Sequence, residues 1–81
     1  MIGVDNMALI KKLVKISKNS RLQAEADCTY NIIVEGGEKY LQINTYGSSE
    51  RVHKNAASQT LQLNKQSANQ LIEIIKKEFI L

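Results

Sequence analysis

Between Leu22 and Val34 the even positions read Leu22, Ala24, Ala26, Cys28, Tyr30, Ile32 and Val34, whereas the odd ones read Gln23, Glu25, Asp27, Thr29, Asn31 and Ile33. Ile33 alone breaks the alternation. A period of two sustained over this stretch predicts a β-strand with one face buried. At about 3.3 Å per residue such a strand reaches about 43 Å, too long to stay flat in a chain of 81 residues and 9.1 kDa. The spacing therefore predicts a bend or bulge near Ala24 to Asp27, where small side chains pack poorly, or an extension used in a dimer. A chain of this length makes one domain spanning residues 1–81, and its single small core makes self-association an expectation.

The remaining segments follow by the same reading. Leu9, Ile10, Leu13 and Ile16 recur at helical spacing with Lys11, Lys15 and Lys18 opposite, which predicts an amphipathic helix from Asp5, its cap, to about Lys18. Glu35, Gly36, Gly37 and Glu38 predict a hairpin turn, because adjacent glycines tolerate the positive φ angles of tight turns. A second strand then runs from Lys39 to Tyr46, with Leu41 and Ile43 on one face and Tyr40, Gln42, Asn44 and Tyr46 on the other. Gly47 to Glu50 end it, and Arg51 to Ala57 read as a connection without a period. Ser58 to Leu63 predict a third strand. Asn64 caps a final helix whose stripe is Ala68, Leu71, Ile72, Ile75 and Phe79, with Lys76 and Lys77 favouring its C-terminal dipole and Lys77 pairing Glu73. The expected fold is thus a two-layer α+β domain: an N-terminal helix, an antiparallel meander of three to four strands, and a C-terminal helix on one sheet face. Thr29, Asn31, Tyr40, Gln42, Asn44, Tyr46, Thr60 and Gln62 would line the opposite, polar face.

Several chemistries are disfavoured by what the chain lacks. A lone cysteine, Cys28, makes neither an internal disulfide nor a paired-thiol zinc or redox site, and an intracellular, cytoplasmic setting is expected. Its place in the apolar series reads as a small buried hydrophobe. No apolar run approaches the roughly 18 residues needed to span a bilayer, so no membrane role is expected. Glu25 and Asp27 share a strand face, but no further ligands complete a metal site, and they read as a solvated acidic edge. His53 sits beside Arg51 and Lys54, with Ser48, Ser49 and Glu50 nearby, yet catalysis demands an oriented acid, base and nucleophile on a rigid scaffold. Neither catalytic residues, metal nor cofactor are expected, and the chain reads as a non-enzymatic protein.

Charge is uneven along the chain although its formal sum is only +3. Asp5 to Lys18 hold four lysines against one aspartate, Arg21 to Glu50 two basic residues against five acidic ones, and Arg51 to Leu81 five basic against two acidic. A polyanion would therefore meet the terminal thirds first. Tyr40 and Tyr46 flanking Gln42 and Asn44 offer rings for stacking with amides between them, a pattern that strand surfaces use to hold single-stranded nucleic acid. Tyr40, Gln42, Asn44, Tyr46, Arg51 and Lys54 are accordingly the candidate nucleic-acid-binding residues.

Two resemblances accompany these readings. The segments NSRLQAEADCTY, EKYLQINTYGSSER and SQTLQLNKQSANQLIEIIKKEF, from Asn19 to near the end, resemble a family of small uncharacterised proteins of Gram-positive bacteria and their phages. That resemblance implies a source and a fold more than an activity. Strands, a basic loop and then a strand ending in a capped helix, SQTLQLNKQSANQLIEII, are distantly similar to the single-stranded DNA-binding domain of the positive-cofactor-four transcriptional coactivators, over roughly Tyr30 to Phe79. This second resemblance implies a homodimer joined through C-terminal helix and strand edges, and single-stranded DNA as ligand. The leading expectation is a dimeric single-stranded nucleic-acid-binding domain. Its alternative is a phage or bacterial accessory protein that binds a host protein through an exposed strand edge or sheet face.

Overall fold

The computed structural model describes residues 6–47 and 57–80. Within them lie four strands, β1 (Met7–Ile10), β2 (Asp27–Glu35), β3 (Glu38–Tyr46) and β4 (Gln59–Leu63), followed by helix α1 (Lys65–Ile75) and a π-helical turn (Lys76–Ile80). The strands form one mixed sheet in the order β1-β4-β3-β2.

The hairpin forms as the paired glycines demand. Gly36 and Gly37 have φ of 61° and 78°, the two consecutive left-handed residues of a tight turn whose twist matches that of its strands. From this turn β2 and β3 pair antiparallel along their whole length, from Glu35 opposite Glu38 to Asp27 opposite Tyr46. β3 also pairs antiparallel with β4, with Leu41 opposite Leu63 and Thr45 opposite Gln59. This register places Cys28, Tyr30, Ile32, Val34, Leu41, Ile43, Leu61 and Leu63 on one face. Thr29, Asn31, Tyr40, Gln42, Asn44, Tyr46, Thr60 and Gln62 occupy the other, as the alternation predicts.

At the end of β4 the chain turns into α1 through a capping box. The Asn64 side chain accepts from the Ser67 backbone N–H at 2.9 Å, and Ser67 Oγ accepts from the Asn64 backbone N–H at 3.1 Å. Two amides left over at the helix start are thereby satisfied, and Ser67 is fully buried while doing so. The helix docks at the Leu63 end of the apolar face, where Leu63 is only 2% exposed and Ile32, Leu41 and Ala68 line a shared groove. Lys76 and Lys77 fall in the π-helical turn rather than in the last turn of α1, and Glu73 pairs with Lys76 at 3.7 Å in place of Lys77.

The N-terminal helix expected from Asp5 to Lys18 is overturned, and with it the two-helix layout and the purely antiparallel meander. Asp5 lies outside the described residues. Met7–Ile10 is instead a strand parallel to β4, Met7 opposite Thr60 and Ile10 opposite Leu63. Residues 11–26 carry no regular structure. Two physical terms favour this outcome. An isolated helix of this length is marginal in water without tertiary support, and Val14, Ile16 and Ser17 are indifferent helix formers. Against that, β1 satisfies the backbone groups along the open edge of β4. The long first strand is likewise shorter than its alternation, since β2 begins at Asp27 and Leu22 to Ala26 remain irregular.

Because β1 and β2 occupy opposite edges, residues 11–26 must travel from one side of the domain to the other. They are tethered to the helix on the way. Gln70 grips the backbone of Leu13 with both ends of its amide, accepting from the N–H at 2.8 Å and donating to the carbonyl at 2.6 Å. Lys15 pairs with Glu78 at 3.3 Å.

Two substitutions probe the local determinants. Asn64→Ala should lower stability by about 1 kcal/mol and Asn64→Gly by only a few tenths. Gly37→Ala, whose added methyl meets no neighbour but sits at a left-handed φ, should cost about 1 to 2 kcal/mol. Urea denaturation followed by circular dichroism checks both; equal losses for Asn64→Ala and Asn64→Gly would contradict the capping account.

Candidate nucleic-acid interface

The polar sheet face is the first surface to test. Its amides do not point freely outward, because Asn44 is the hub of a network across three strands. Its Nδ2 donates to Thr29 Oγ1 at 3.1 Å and Asn31 Oδ1 at 3.3 Å, while its Oδ1 accepts from Gln42 Nε2 at 2.9 Å and Thr60 Oγ1 at 3.3 Å. Two donors and two acceptor lone pairs are all that an asparagine amide has. Gln42 is occupied too, since its Oε1 accepts from Gln62 Nε2 at 2.9 Å. A nucleobase could bond to Asn44 only by displacing one of these partners.

The aromatic residues divide. Tyr46 is buried at 7% exposure with its hydroxyl 3.1 Å from Thr29 Oγ1, so its ring offers no open stacking platform. Tyr40 is half-buried opposite Ile33, the residue that broke the alternation, and the two form an apolar pair at the turn end of the polar face. Arg51 and Lys54 lie outside the described residues, as do His53, Ser48, Ser49 and Glu50. The structure thus brings Gln42, Asn44 and Tyr46 together with one another and with Thr29, Thr60 and Gln62, and sets Tyr40 apart from them.

Electrostatics run against a polyanion on this face. By the register Asp27 shares it at one end, and Glu35 and Glu38 at the other, whereas Lys39 falls on the apolar side. Glu25 precedes β2 and is therefore not paired with Asp27 on a strand face, which removes the geometric premise of an acidic pair. Among the described residues no three His, Cys, Asp or Glu side chains approach one another closely enough to hold a metal ion. Cys28, expected inside, is exposed on the apolar face.

The feature that sequence reading missed is the segment after β1. From Lys11 to Ala24 it holds Lys11, Lys12, Lys15, Lys18 and Arg21 and not one acidic residue. All five cations are exposed, and of the five only Lys15 has an ion-pair partner among the described residues. Read as a helix, three of these lysines form an ordinary solvated stripe. Without a helix these no longer share one stripe, and all five cations lie exposed along an irregular arm. The charge run was visible in the sequence; its conformation was not.

Comparison of the chain with protein-family models, curated proteins and solved structures finds no significant match to any of them. Among the described residues, no helix is long and apolar enough to cross a membrane.

If the amides of the polar face serve the sheet and not a ligand, Asn44→Ala should lower stability by about 1 to 3 kcal/mol, the range for groups that lose buried or half-buried partners. It should leave affinity for oligonucleotides unchanged. Thermal melting beside an anisotropy titration checks this, and a variant that melts normally but binds less would restore Asn44 as a reader of bases.

Proposed function

We propose that the protein is a non-enzymatic binding domain for single-stranded nucleic acid, held chiefly through phosphates by the arm that carries Lys11, Lys12, Lys15, Lys18 and Arg21. The observation that supports this reading is that a segment with five cations and no carboxylate from Lys11 to Ala24 is irregular in structure, with all five cations exposed. Phosphate attraction supplies most sequence-independent affinity for nucleic acid, and it needs cations that reach the backbone without first displacing bound partners. Among the described residues four of these five have no ion-pair partner, and the fifth, Lys15, is tied by an exposed pair that water screens. Arg51 and Lys54 add to the same charge through sequence alone. Tyr40 contributes a ring near Lys39 and Lys65, at the rim of the groove between the hairpin turn and α1.

A single strand suits this surface better than a duplex. The arm is narrow and lacks a helix or ribbon shaped for a major groove, whereas a flexible strand can follow it. Specificity for base sequence is not expected, because the amides that could read base edges are already bonded to one another.

Fluorescence-anisotropy titration of oligothymidylate across about 50 to 200 mM salt tests the proposal. With about four phosphates neutralised, log affinity should fall against log salt with a slope near −3, at about −0.7 per phosphate for single strands. Replacing Lys12, Lys18 and Arg21 by Gln should reduce that slope by about 2 and weaken binding at low salt, while Tyr46→Phe should do neither. Salt-insensitive binding, or a triple variant that binds like the parent, would sink the arm as the contact.

A further inference from the structure

The described residues leave an apolar sheet face uncovered over most of its area. Leu63, beneath α1, is buried, yet Tyr30 is 74% exposed, Val34 66%, Ile32 54% and Leu61 42%. The stripe of the helix continues this surface outward, with Ile72, Ile75 and Phe79 exposed in turn. Among the described residues only Tyr46 and Leu63 are buried apolar side chains, and Tyr46 lies on the opposite, polar face. Two such side chains do not hold a sheet and a helix together in water, since the apolar area removed from solvent is the main favourable term in folding.

The whole surface tells the same story. The chain exposes 7261 Å², whereas a folded monomer of 9.1 kDa is expected to expose about 4,900 Å². Its radius of gyration is 14.3 Å, against about 12 Å for a compact chain of this length. The excess of roughly 2,400 Å² per chain includes the exposed irregular segment 11–26 as well as the apolar face. A specific interface needs about 1,000 Å² in total, about 500 Å² from each copy, a scale that the exposed Tyr30, Ile32, Val34 and Leu61 side chains approach together.

We infer that a second copy of this chain covers the apolar face formed by Cys28, Tyr30, Ile32, Val34, Ile43 and Leu61, making a face-to-face dimer that is the folded form of the protein. Three features select a second copy over another partner. Among the described residues Leu63 is the only buried apolar side chain on this face, so the face needs cover for the small core to be complete, and a second copy is the partner present whenever the chain is made. A patch that meets itself across a two-fold axis must be self-complementary, and this face is neutral across its middle, with Lys39 alone at one end. A two-fold axis through the centre sends the two Lys39 side chains to opposite ends, where they do not repel. The neutral face also gives no oppositely charged foreign surface an advantage.

Cys28, the only cysteine, lies exposed on this face beside Tyr30 and Ile43 and so reports on its coverage without any substitution. Sedimentation equilibrium of the full chain at micromolar concentrations should give twice the 9.1 kDa chain mass. Maleimide should label Cys28 at least about tenfold more slowly in the native protein than in urea, and labelling should accelerate on dilution through the dissociation range. Ile32→Asp should weaken association at least about tenfold, as a charge carried into an apolar interface does. A one-copy mass overturns the inference whatever the labelling rate. A two-copy mass with Cys28 labelled as fast as in urea also overturns it, because the copies then meet at the β2 edge or the arm. So does a stoichiometric complex with a different protein in place of the second copy. The wild-type labelling result stands even if Ile32→Asp fails to fold.

Discussion

The register of the β2–β3 hairpin is the constraint on which everything else rests. Two left-handed glycines close the turn, and nine residues on each side then pair without a bulge. Side chains alternate strictly between faces along such a ladder, so a slip by one residue would move Tyr30, Ile32 and Val34 among the amides and carry Asn31 and Thr29 to the apolar side. β4 adds to β3 in the register that continues this partition, and α1 begins directly where β4 ends.

The two faces meet this constraint differently. On the polar side, Asn44 and Gln42 close their hydrogen bonds within the sheet, which ties three strands together and leaves no buried side-chain polar atom among the described residues without a partner. A surface that resembles a binding face in composition is in this way turned to structural use. On the apolar side there are too few covering groups. One helix of eleven residues shields the Leu63 end and nothing described shields the rest. This imbalance between a nine-residue hairpin and a single short helix is the ground for inferring a second copy.

Function on this reading is divided among surfaces. The apolar face assembles the protein, the amide network stiffens it, and the arm between β1 and β2 carries its charge outward. The arm can do so because the sheet order leaves it no shorter course: β1 and β2 are at opposite edges, and the residues between them must cross the domain. In a dimer two such arms would act on one strand, and a second contact made within the same complex strengthens binding without any new kind of interaction.

Much of this was legible in the sequence because it depends on local chemistry. Alternation over Cys28 to Val34 and Leu41 to Tyr46 assigns the faces; Gly36 and Gly37 admit the turn; Asn64, three residues before Ser67, starts the helix. The fate of Met7 to Ala26 was not legible. Its apolar residues satisfy a helical stripe as well as a short strand, and the choice between them depends on whether an edge such as that of β4 stands open. Tyr46 and Asn44 likewise announce themselves as polar-face residues, but that their hydroxyl and amide groups are spent on Thr29, Thr60 and Gln42 follows only from strands brought alongside. Period, turn and cap are properties of neighbours in the chain, which the sequence determines by itself. Edge pairing, burial and the saturation of side-chain hydrogen bonds are properties of neighbours in space, and these only the tertiary structure decides.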